Sequence, residues 1–421
     1  MQFDTLQVHA GFHGDPESKS VVAPIYQTTA YTFDSAKHAA DLFSLEAPGN
    51  IYTRLNNPTN AILEERVAAL EGGVGAVAFS SGQSAITIGI LNLAKCGDNI
   101  IASTALYGGT YNLFVHTFAK MGIQVKLVNT DDLKAVEDAI DENTKCIYTE
   151  IVGNPGGNVP DLCALTELAH KNGIPVMVDN TFATPYLCRP IEFGADIIVH
   201  SATKFLGGHG NSMAGILVDS GKFDWEKSGR FPGLVEPDPS YHDIQYFKTF
   251  GESAYIVKAR VQLLRDIGCC LSPFNAFLIL QGIETLSLRM QKHVENAKRV
   301  AEFLKNNRKV SWVKYPSLPG DAYYERAQKY LPKGAGSVFS FGLSGGYASC
   351  VDVLESVKLF YHVTNLGDVR SIITHPASTT HSQLTKEQRK ESGIADEMIR
   401  LSIGIEDASD IISDLADAIG E

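Results

Sequence analysis

The chain has 421 residues, of which 44% are hydrophobic and 20% charged, and its formal net charge is −12. This composition is typical of a globular protein with large buried cores, and the length favours two domains over one. Acidic and basic residues are interspersed, so the sequence predicts no basic face for nucleic acid or an anionic membrane. Small-molecule ligands, including anionic ones, are compatible with this charge.

The amino-terminal sequence MQFDTLQVHAGF has no basic stretch followed by an apolar core. No apolar run approaches the roughly 18 residues that are needed to span a bilayer. Seven cysteines occur without a CxxC pair or metal-like spacing to histidine, which is typical of reduced thiols. We therefore expect a cytoplasmic protein without a bound metal.

Residues 1–58 show no clear periodicity and contain four prolines. This pattern predicts an extended amino-terminal arm that lies on a neighbouring subunit. Within it, Tyr52 and Arg54 are two residues apart and so share one side of an extended strand. A helix is predicted to begin near Pro58 and to end at Gly72.

Residues 59–262 alternate apolar runs with segments of helical length, which indicates a largely parallel sheet covered on both faces. The predicted strands are 74–79, 99–103, 123–128, 145–152, 174–179, 195–200 and 214–219. The predicted helices between them include 83–95, 109–121, 131–140 and 161–172. Because such sheets bind ligands outside the carboxyl ends of their strands, the residues at those ends are the first candidates for a site.

The pattern changes after the last of these strands. Residues 220–255 are rich in proline and glycine and predict an irregular surface excursion. A helical stretch follows over 254–306, with Pro273 as the expected break. The remaining predicted elements are strands at 337–343, 358–363 and 399–405 and helices near 347–356 and 407–419. Residues 263–421 are thus expected to form a second, smaller α+β domain.

Two strand ends carry an unusual pair of residues. Asp179 ends one predicted strand, and Lys204 follows the next, just after the hydroxyl residues Ser201 and Thr203. Pyridoxal phosphate (PLP) needs a lysine for its Schiff base, an acid opposite its pyridine nitrogen and donors for its phosphate. Burial would also lower the pKa of such a lysine toward a usable amine. The alternative is a structural salt bridge between Asp179 and Lys204.

Three further positions fit the same cofactor. Gly82 and Gln83 open a predicted helix, where free N–H groups bind anions, although a glycine there is also common in a plain turn. Tyr107 follows a strand end and is placed to stack on a ring, or is an ordinary turn residue. Arg400 begins a predicted strand, and its forked guanidinium suits a substrate carboxylate as well as a surface ion pair.

Several motifs then occur together and in order. They are Tyr52-x-Arg54 with Asn57-Pro58-Thr59, Ser81-Gly82, Tyr107-Gly108-Gly109-Thr110, Asp179-Asn180-Thr181, Ser201-Ala202-Thr203-Lys204 and His375-Pro376-Ala377-Ser378. On these motifs the chain resembles the Cys/Met-metabolism family of PLP-dependent enzymes over essentially its whole length. The resemblance implies an α/β fold of fold type I, aspartate-aminotransferase-like, with a large PLP-binding domain over 59–262 and the smaller carboxyl-terminal domain. It also implies a homotetramer, a dimer of dimers with active sites shared between subunits.

The resemblance also implies how the cofactor is held. Lys204 would carry PLP and relay protons, Asp179 would pair with the pyridine nitrogen, and Tyr107 would stack on the ring. The phosphate would be bound within one subunit by Gly82, Gln83, Ser201 and Thr203. From the neighbouring subunit it would be reached by Tyr52 and Arg54, and Tyr52 is expected to serve catalysis as well.

The substrate side follows from the same resemblance. Arg400 would hold the α-carboxylate, Asn365 would lie beside the substrate, and Asn154 would lie near both the cofactor and the substrate. Within the family, the resemblance is to members that replace the acetate of O-acetyl-L-homoserine with sulfide, or with a thiol such as methanethiol. The expected products are L-homocysteine or methionine, plus acetate.

This branch of the family is indicated by particular segments. They are Gly207-Gly208-His209-Gly210, the long 220–255 segment and the runs 271–277 and 379–384. Gly109 stands where methionine γ-lyases typically carry cysteine, and Asn112 stands where cystathionine-forming relatives often carry arginine. The alternative functions are those of a methionine γ-lyase or of a cystathionine γ-synthase or γ-lyase.

Overall fold

The computed structural model describes residues 1–380, 382, 385, 389 and 393–420. In this part of the chain the strands form two sheets, one of seven strands and one of five. The larger sheet is built from residues 75–219 and the smaller from residues 310–402. Among the described residues, no helix combines the length and the apolar character needed to span a bilayer.

The larger sheet has the strand order β1-β7-β6-β5-β4-β2-β3. Its strands are β1 Gly75–Phe79, β2 Asn99–Ser103, β3 Gln124–Val128, β4 Thr144–Glu150, β5 Val176–Asp179, β6 Ile197–Ser201 and β7 Gly215–Asp219. The predicted parallel pairing is confirmed from β3 through β6, whereas β7 runs antiparallel to both β1 and β6. The chain turns back between β6 and β7 without a crossover helix, and only an antiparallel neighbour can be reached that way.

Both faces of the larger sheet are buried, which is why its strands appear as continuous apolar runs. Val178 and Ile198 point into one core, and Met177 and Val199 point into the other. The covering helices are Pro58–Glu71, Gly82–Leu91, Gly108–Asn112 with its π-helical continuation Leu113–Phe118, Leu133–Ala139, Leu162–Lys171, Thr184–Leu187 and the 3₁₀ turn Pro190–Phe193. The sheet is therefore closed off except at its edges and strand ends.

Residues 220–255 lack long elements, as predicted, but they are more than a surface excursion. Trp225, Phe231 and Tyr246 are buried, and the ring of Trp225 stacks on Tyr255 at a centroid distance of 5.4 Å. Large aromatic side chains gain most from burial, so this segment packs onto the second core of the sheet. The helices here are Trp225–Ser228, Pro232–Val235, Tyr246–Phe250, the 3₁₀ turn Gly251–Ser253, Ala254–Lys258, the π-helical Ala259–Leu264 and Arg265–Ile267.

The smaller sheet has the order β10-β11-β12-β9-β8. Its strands are β8 Val310–Lys314, β9 Val338–Leu343, β10 Tyr361–His362, β11 Ile372–Thr374 and β12 Met398–Ser402, of which β8 and β11 were not predicted. The accompanying helices are Pro273–Ile283, Leu286–Asn306, Tyr324–Tyr330, Gly346–Ser356 and Ala408–Ile419, with the 3₁₀ turn Pro376–Ser378. Pro273 lies in the first turn of its helix, where a missing N–H is tolerated, so the predicted break is confirmed.

The amino-terminal segment is only partly extended. It contains the helices Phe3–His9 and Ala36–Phe43, neither of which was predicted. Gln7 on the first helix is buried and exchanges two hydrogen bonds of 3.0 Å with Ser287. The first residues therefore pack on their own chain, and the extended part begins after them.

Candidate active site

A cavity of about 210 Å³ opens where β4, β5 and β6 end, and it reaches the smaller sheet. Twelve residues were predicted for the site, all within the described part of the chain, and ten of them line this cavity. The ten are Gly82, Gln83, Tyr107, Asn154, Asp179, Ser201, Thr203, Lys204, Asn365 and Arg400. The two sheets thus contribute to one site.

Lys204 follows β6, and its side chain is partly buried in the cavity. Its Nζ donates a hydrogen bond to Asn365 Oδ1, and no carboxylate of the described chain forms an ion pair with it. Burial, together with the positive charge of Arg400, lowers its pKa to about 8. The alternative of an Asp179–Lys204 salt bridge is therefore wrong, because the nearest partner of the amine is an amide.

Asp179 ends β5 and is held by two neighbours. Its Oδ2 accepts a hydrogen bond from Tyr148 Oη at 3.2 Å, and its Oδ1 accepts one from Thr181 N at 3.0 Å. Burial raises the pKa of this carboxyl above its usual value, although the hydrogen bonds from Thr181 partly oppose that shift. The Asp179 carboxylate is thus fixed in place at the edge of the cavity.

The start of the helix Gly82–Leu91 forms one end of the cavity. Ser81 caps this helix by accepting a hydrogen bond from Ser84 N at 3.1 Å. Ser201 lies directly against Gly82, because a Cβ on Gly82 would stand 2.7 Å from the Ser201 Cβ. The Thr203 hydroxyl is bonded to the Ala214 backbone, at 3.1 Å to its N and 3.2 Å to its O. Free N–H groups at a helix start, beside a serine hydroxyl, make an anion site.

Tyr107 lies at the mouth of the cavity, with 43% of its surface exposed. Its backbone N donates to Glu150 Oε1 at 2.7 Å, and Asn154 N donates to Glu150 Oε2 at 3.1 Å. Burial and the neighbouring Asp179 raise the pKa of Glu150 well above its usual value. The sequence did not reveal this role of Glu150, because no motif marks a carboxylate that is held by backbone N–H groups.

Arg400 on β12 is buried, and both arms of its guanidinium are held. Nη1 donates to Asn154 Oδ1 at 3.1 Å, and Nη2 donates to Asn365 O at 3.1 Å. Burial lowers its pKa to about 10. The surface ion pair considered for this residue is therefore wrong, and its charge faces the same cavity as Lys204.

Tyr52 and Arg54 are the two predicted residues that do not line the cavity. Tyr52 is 40% exposed, and the Arg54 guanidinium lies 5.4 Å from the centre of its ring. Arg54 Nη1 donates to the Arg265 carbonyl. Of the run 379–384, Thr380 lines the cavity, whereas residues 381, 383 and 384 lie outside the described residues.

The groups gathered here fit PLP. An amine with a pKa of about 8, a half-buried carboxylate and an anion-binding helix start are the three that the cofactor requires. In addition, Gln83 Oε1 is buried and has no donor in the described part of the chain, as expected where a bound molecule completes the site. Tyr107 also lines the cavity.

Comparison with known proteins leads to the same family. The family model described as Cys/Met metabolism PLP-dependent enzyme matches residues 4–420. A homocysteine synthase of Schizosaccharomyces pombe is 49% identical, and the match covers 99% of this chain and 98% of the relative. O-acetyl-L-homoserine sulfhydrylase 1 of Thermus thermophilus is 47% identical, with all of both chains covered.

A solved structure agrees with the sequence matches. The Campylobacter jejuni protein described as an O-acetylhomoserine (thiol)-lyase superposes with a TM-score of 0.97 at 39% identity, with all of both chains covered. That structure contains a pyridoxyl-lysine phosphate. The chain described here has the α/β fold of type I PLP-dependent transferases, is an enzyme and uses PLP. It belongs to the Cys/Met-metabolism family of PLP-dependent enzymes.

Proposed function

We propose that this enzyme replaces the acetate of O-acetyl-L-homoserine with sulfide, or with a small thiol such as methanethiol, as a step in methionine biosynthesis. The products would be L-homocysteine or methionine, plus acetate. The observation that carries the proposal is the meeting of Lys204, Asp179 and Arg400 in one cavity. Full-length relatives named homocysteine synthase and O-acetyl-L-homoserine sulfhydrylase support the choice of reaction.

PLP, when bound, supplies an electron-withdrawing ring that stabilises negative charge at the substrate Cα. Lys204 would carry it, and an amine with a pKa near 8 both takes and returns protons at neutral pH. Asp179 would hold the pyridine nitrogen and Tyr107 the ring face. The residues that would hold the phosphate are Gly82, Gln83, Ser201 and Thr203, with Tyr52 and Arg54 of the neighbouring subunit.

Arg400 would bind the substrate α-carboxylate. Its guanidinium has no carboxylate partner in the described chain, and hydrogen bonds to Asn154 and Asn365 fix its orientation. Asn365 also accepts from Lys204, so one residue joins the carboxylate-binding group to the proton-relaying group. This arrangement would keep the substrate Cα within reach of Lys204 Nζ.

The charges of the cavity favour an acetyl ester. Lys204 and Arg400 are the cations among the described lining residues, and Glu150 and Asp179 are the acids. Once Lys204 carries PLP and Arg400 holds the α-carboxylate, no cation among the described lining residues is left for the second carboxylate of a succinyl ester. Burying an unpaired carboxylate costs free energy, so the acetyl ester and uncharged or small sulfur donors fit better.

We also propose that the active site is completed by a second subunit, within a homotetramer. Two observations support this: Tyr52 and Arg54 do not line their own cavity, and the phosphate end of that cavity has no arginine among its described residues. The functional units would be an arm over 1–58, a PLP-binding domain over 59–262 and a smaller domain over 263–421.

All seven cysteines are free, which supports a cytoplasmic location.

The proposal is tested with purified PLP-loaded protein and the acetyl and succinyl esters of homoserine, each with sulfide, methanethiol or cysteine. We expect homocysteine from the acetyl ester and sulfide, with kcat/KM about 100-fold above that for the succinyl ester. Lys204→Ala is the control and should form no product. Release of 2-oxobutyrate without homocysteine would instead establish γ-elimination.

A further inference from the structure

The turn that follows Lys204 is held by a buried arginine from a distant helix. Arg289 lies on the helix Leu286–Asn306 and is 5% exposed. Its Nη1 donates to Phe205 O at 2.8 Å, and its Nη2 donates to Leu206 O at 3.2 Å and to Gly282 O at 2.7 Å. The carbonyls of the two residues after Lys204 therefore both point at one guanidinium.

Arg289 is unusual because no carboxylate of the described chain forms an ion pair with it. A buried guanidinium normally requires an acid partner, and burial lowers its pKa to about 10. Backbone carbonyls are its main acceptors instead. Without Arg289, the carbonyls of Phe205 and Leu206 would be left without a donor among the described residues.

The glycines of the Gly207-Gly208 motif allow this contact. Gly208 has a φ of +75°, and a Cβ there would stand 2.2 Å from Arg289 Nη1. Gly208 N also donates to Lys204 O at 2.7 Å, which closes the turn. A side chain at position 208 would thus displace the guanidinium that holds the turn.

The same face of the helix binds the other half of the site. His293 and Asn296 follow Arg289 at four and seven residues, so the three side chains share one face. His293 Nδ1 bonds to Ile403 O at 2.7 Å, and Asn296 Nδ2 donates to Gly404 O at 3.1 Å. These carbonyls come directly after β12, the strand that carries Arg400.

We propose that Arg289 is a positioning residue for Lys204, and that the polar face formed by Arg289, His293 and Asn296 holds Lys204 and Arg400 in register. The two cations come from different sheets, and this face contacts the chain just after each of them. The inference rests on the role of Lys204 in the proposed function. The proposal also explains the Gly207-Gly208 motif, because a side chain at position 208 would collide with the Arg289 guanidinium.

Arg289→Gln tests the proposal, with Arg230→Gln as the matched control. Arg230 also binds three backbone carbonyls, those of Asp141, Glu142 and Thr144, but at the start of β4, away from the cavity. The first readout is the pH titration of the visible absorption band of the PLP-loaded protein. The second is the division of the effect between kcat and KM.

We expect Arg289→Gln to shift the midpoint of that titration and to lower kcat about 10- to 100-fold, because Lys204 is displaced. KM for the amino-acid substrate should change less than about threefold, since Arg400 keeps its own partners. Arg289→Lys, which keeps the charge but not the fork, should be intermediate. Arg230→Gln should leave the midpoint unchanged, and equal midpoints in the two glutamine variants would overturn the proposal.

If Arg289→Gln does not fold, two glycine variants test the same proposal. Gly208→Ala and Gly229→Ala both place a Cβ at positive φ, +75° and +68°, but a Cβ on Gly229 meets nothing within 4 Å. Both should lose stability, and only Gly208→Ala should move the titration midpoint. An unmoved midpoint in Gly208→Ala contradicts the inference alone, whereas the absence of any visible band in the unmodified loaded protein contradicts the proposed function.

Discussion

Lys204 and Arg400 are two cations that share one partly enclosed cavity, and neither has a carboxylate partner among the described residues. The two positive charges repel each other. The repulsion appears in the pKa of the lysine, because its amine can lose a proton. Its pKa near 8 results mainly from burial, and the nearby positive charge of Arg400 lowers it further. The burial and the neighbouring charge that prepare Lys204 for proton transfer also lower the stability of the PLP-free protein.

Lys204→Met should therefore raise the melting temperature of PLP-free protein at pH 7. The pKa of Lys204 is about 8 in the folded state and 10.5 in the unfolded state. Lys204 therefore lowers the free energy of unfolding by its full amount below pH 8, and this loss of stability disappears as the pH rises toward 10.5. The penalty is about 3 kcal/mol at pH 7 and under about 1 kcal/mol at pH 10. Differential scanning fluorimetry at several pH values measures it.

Lys258 provides the matched control. It is also buried, its pKa is also lowered to about 8, and within the described part of the chain its Nζ donates to Asn92 Oδ1 at 3.2 Å and to no carboxylate. Lys258→Met should stabilise the protein with the same pH dependence yet leave the visible PLP band intact. If the gain from Lys204→Met did not shrink between pH 8 and pH 10, the lysine would not be neutral in the folded state.

At the scale of elements, the direction of β7 is what the sequence could not provide. A fully buried strand appears as the same apolar run whether its neighbours are parallel or antiparallel. Asp179 and Asp219 both end such runs. Because β7 runs in the opposite direction, Asp219 lies at the other end of the strands from the cavity, beside the start of β6. Strands β8 and β11 were missed because neither forms a long apolar run in the sequence. Strand β11 has three residues, and β8 is only partly buried.

Asp219→Asn should stabilise the protein in a pH-dependent way. Burial raises the pKa of Asp219 to about 7, and its Oδ2 has no partner in the described chain, while Oδ1 accepts from Gly221 N. Because the folded pKa lies above the unfolded 3.8, stability is lost as pH rises between these values. The gain from asparagine should grow by about 2–3 kcal/mol between pH 5 and pH 8.

Urea denaturation of the PLP-loaded protein at these two pH values gives the comparison. Asp417→Asn on the helix Ala408–Ile419 is the control, since that carboxylate is exposed to solvent. Its effect should be small and should not depend on pH. A gain from Asp219→Asn that was the same at both pH values would show that the carboxyl does not ionise in this range.

At the scale of the whole molecule, the strand-end rule predicted most of the site. Of the ten proposed residues that line the cavity, eight lie at or after the carboxyl ends of strands of the larger sheet, and Asn365 and Arg400 come from the region of the smaller sheet. Arg289 binds a backbone atom 84 residues away in sequence and Glu150 binds one that is 43 residues away, so no motif marks either residue. Tyr52 and Arg54 are different, since their site would lie in another chain, and a single chain shows only that they do not line its own cavity.

Shared active sites predict that two inactive variants restore each other. Lys204→Ala lacks the amine, and Arg54→Ala should lack the cation for the phosphate of the neighbouring subunit, so each alone should be nearly inactive. In a mixed dimer, one site combines Lys204 of one chain with Arg54 of the other. If the chains associate at random, about a quarter of all sites should then be intact.

Co-expression of the two variants with different affinity tags, followed by assay of the mixture, measures this recovery. Proteins mixed after purification and kept from exchanging subunits serve as the control. Activity near a quarter of the unmodified enzyme requires that Arg54 acts across the interface. Activity no higher than the mean of the two variants would mean that Arg54 serves its own subunit, in which case the segment around Tyr52 must refold toward its own cavity when PLP binds.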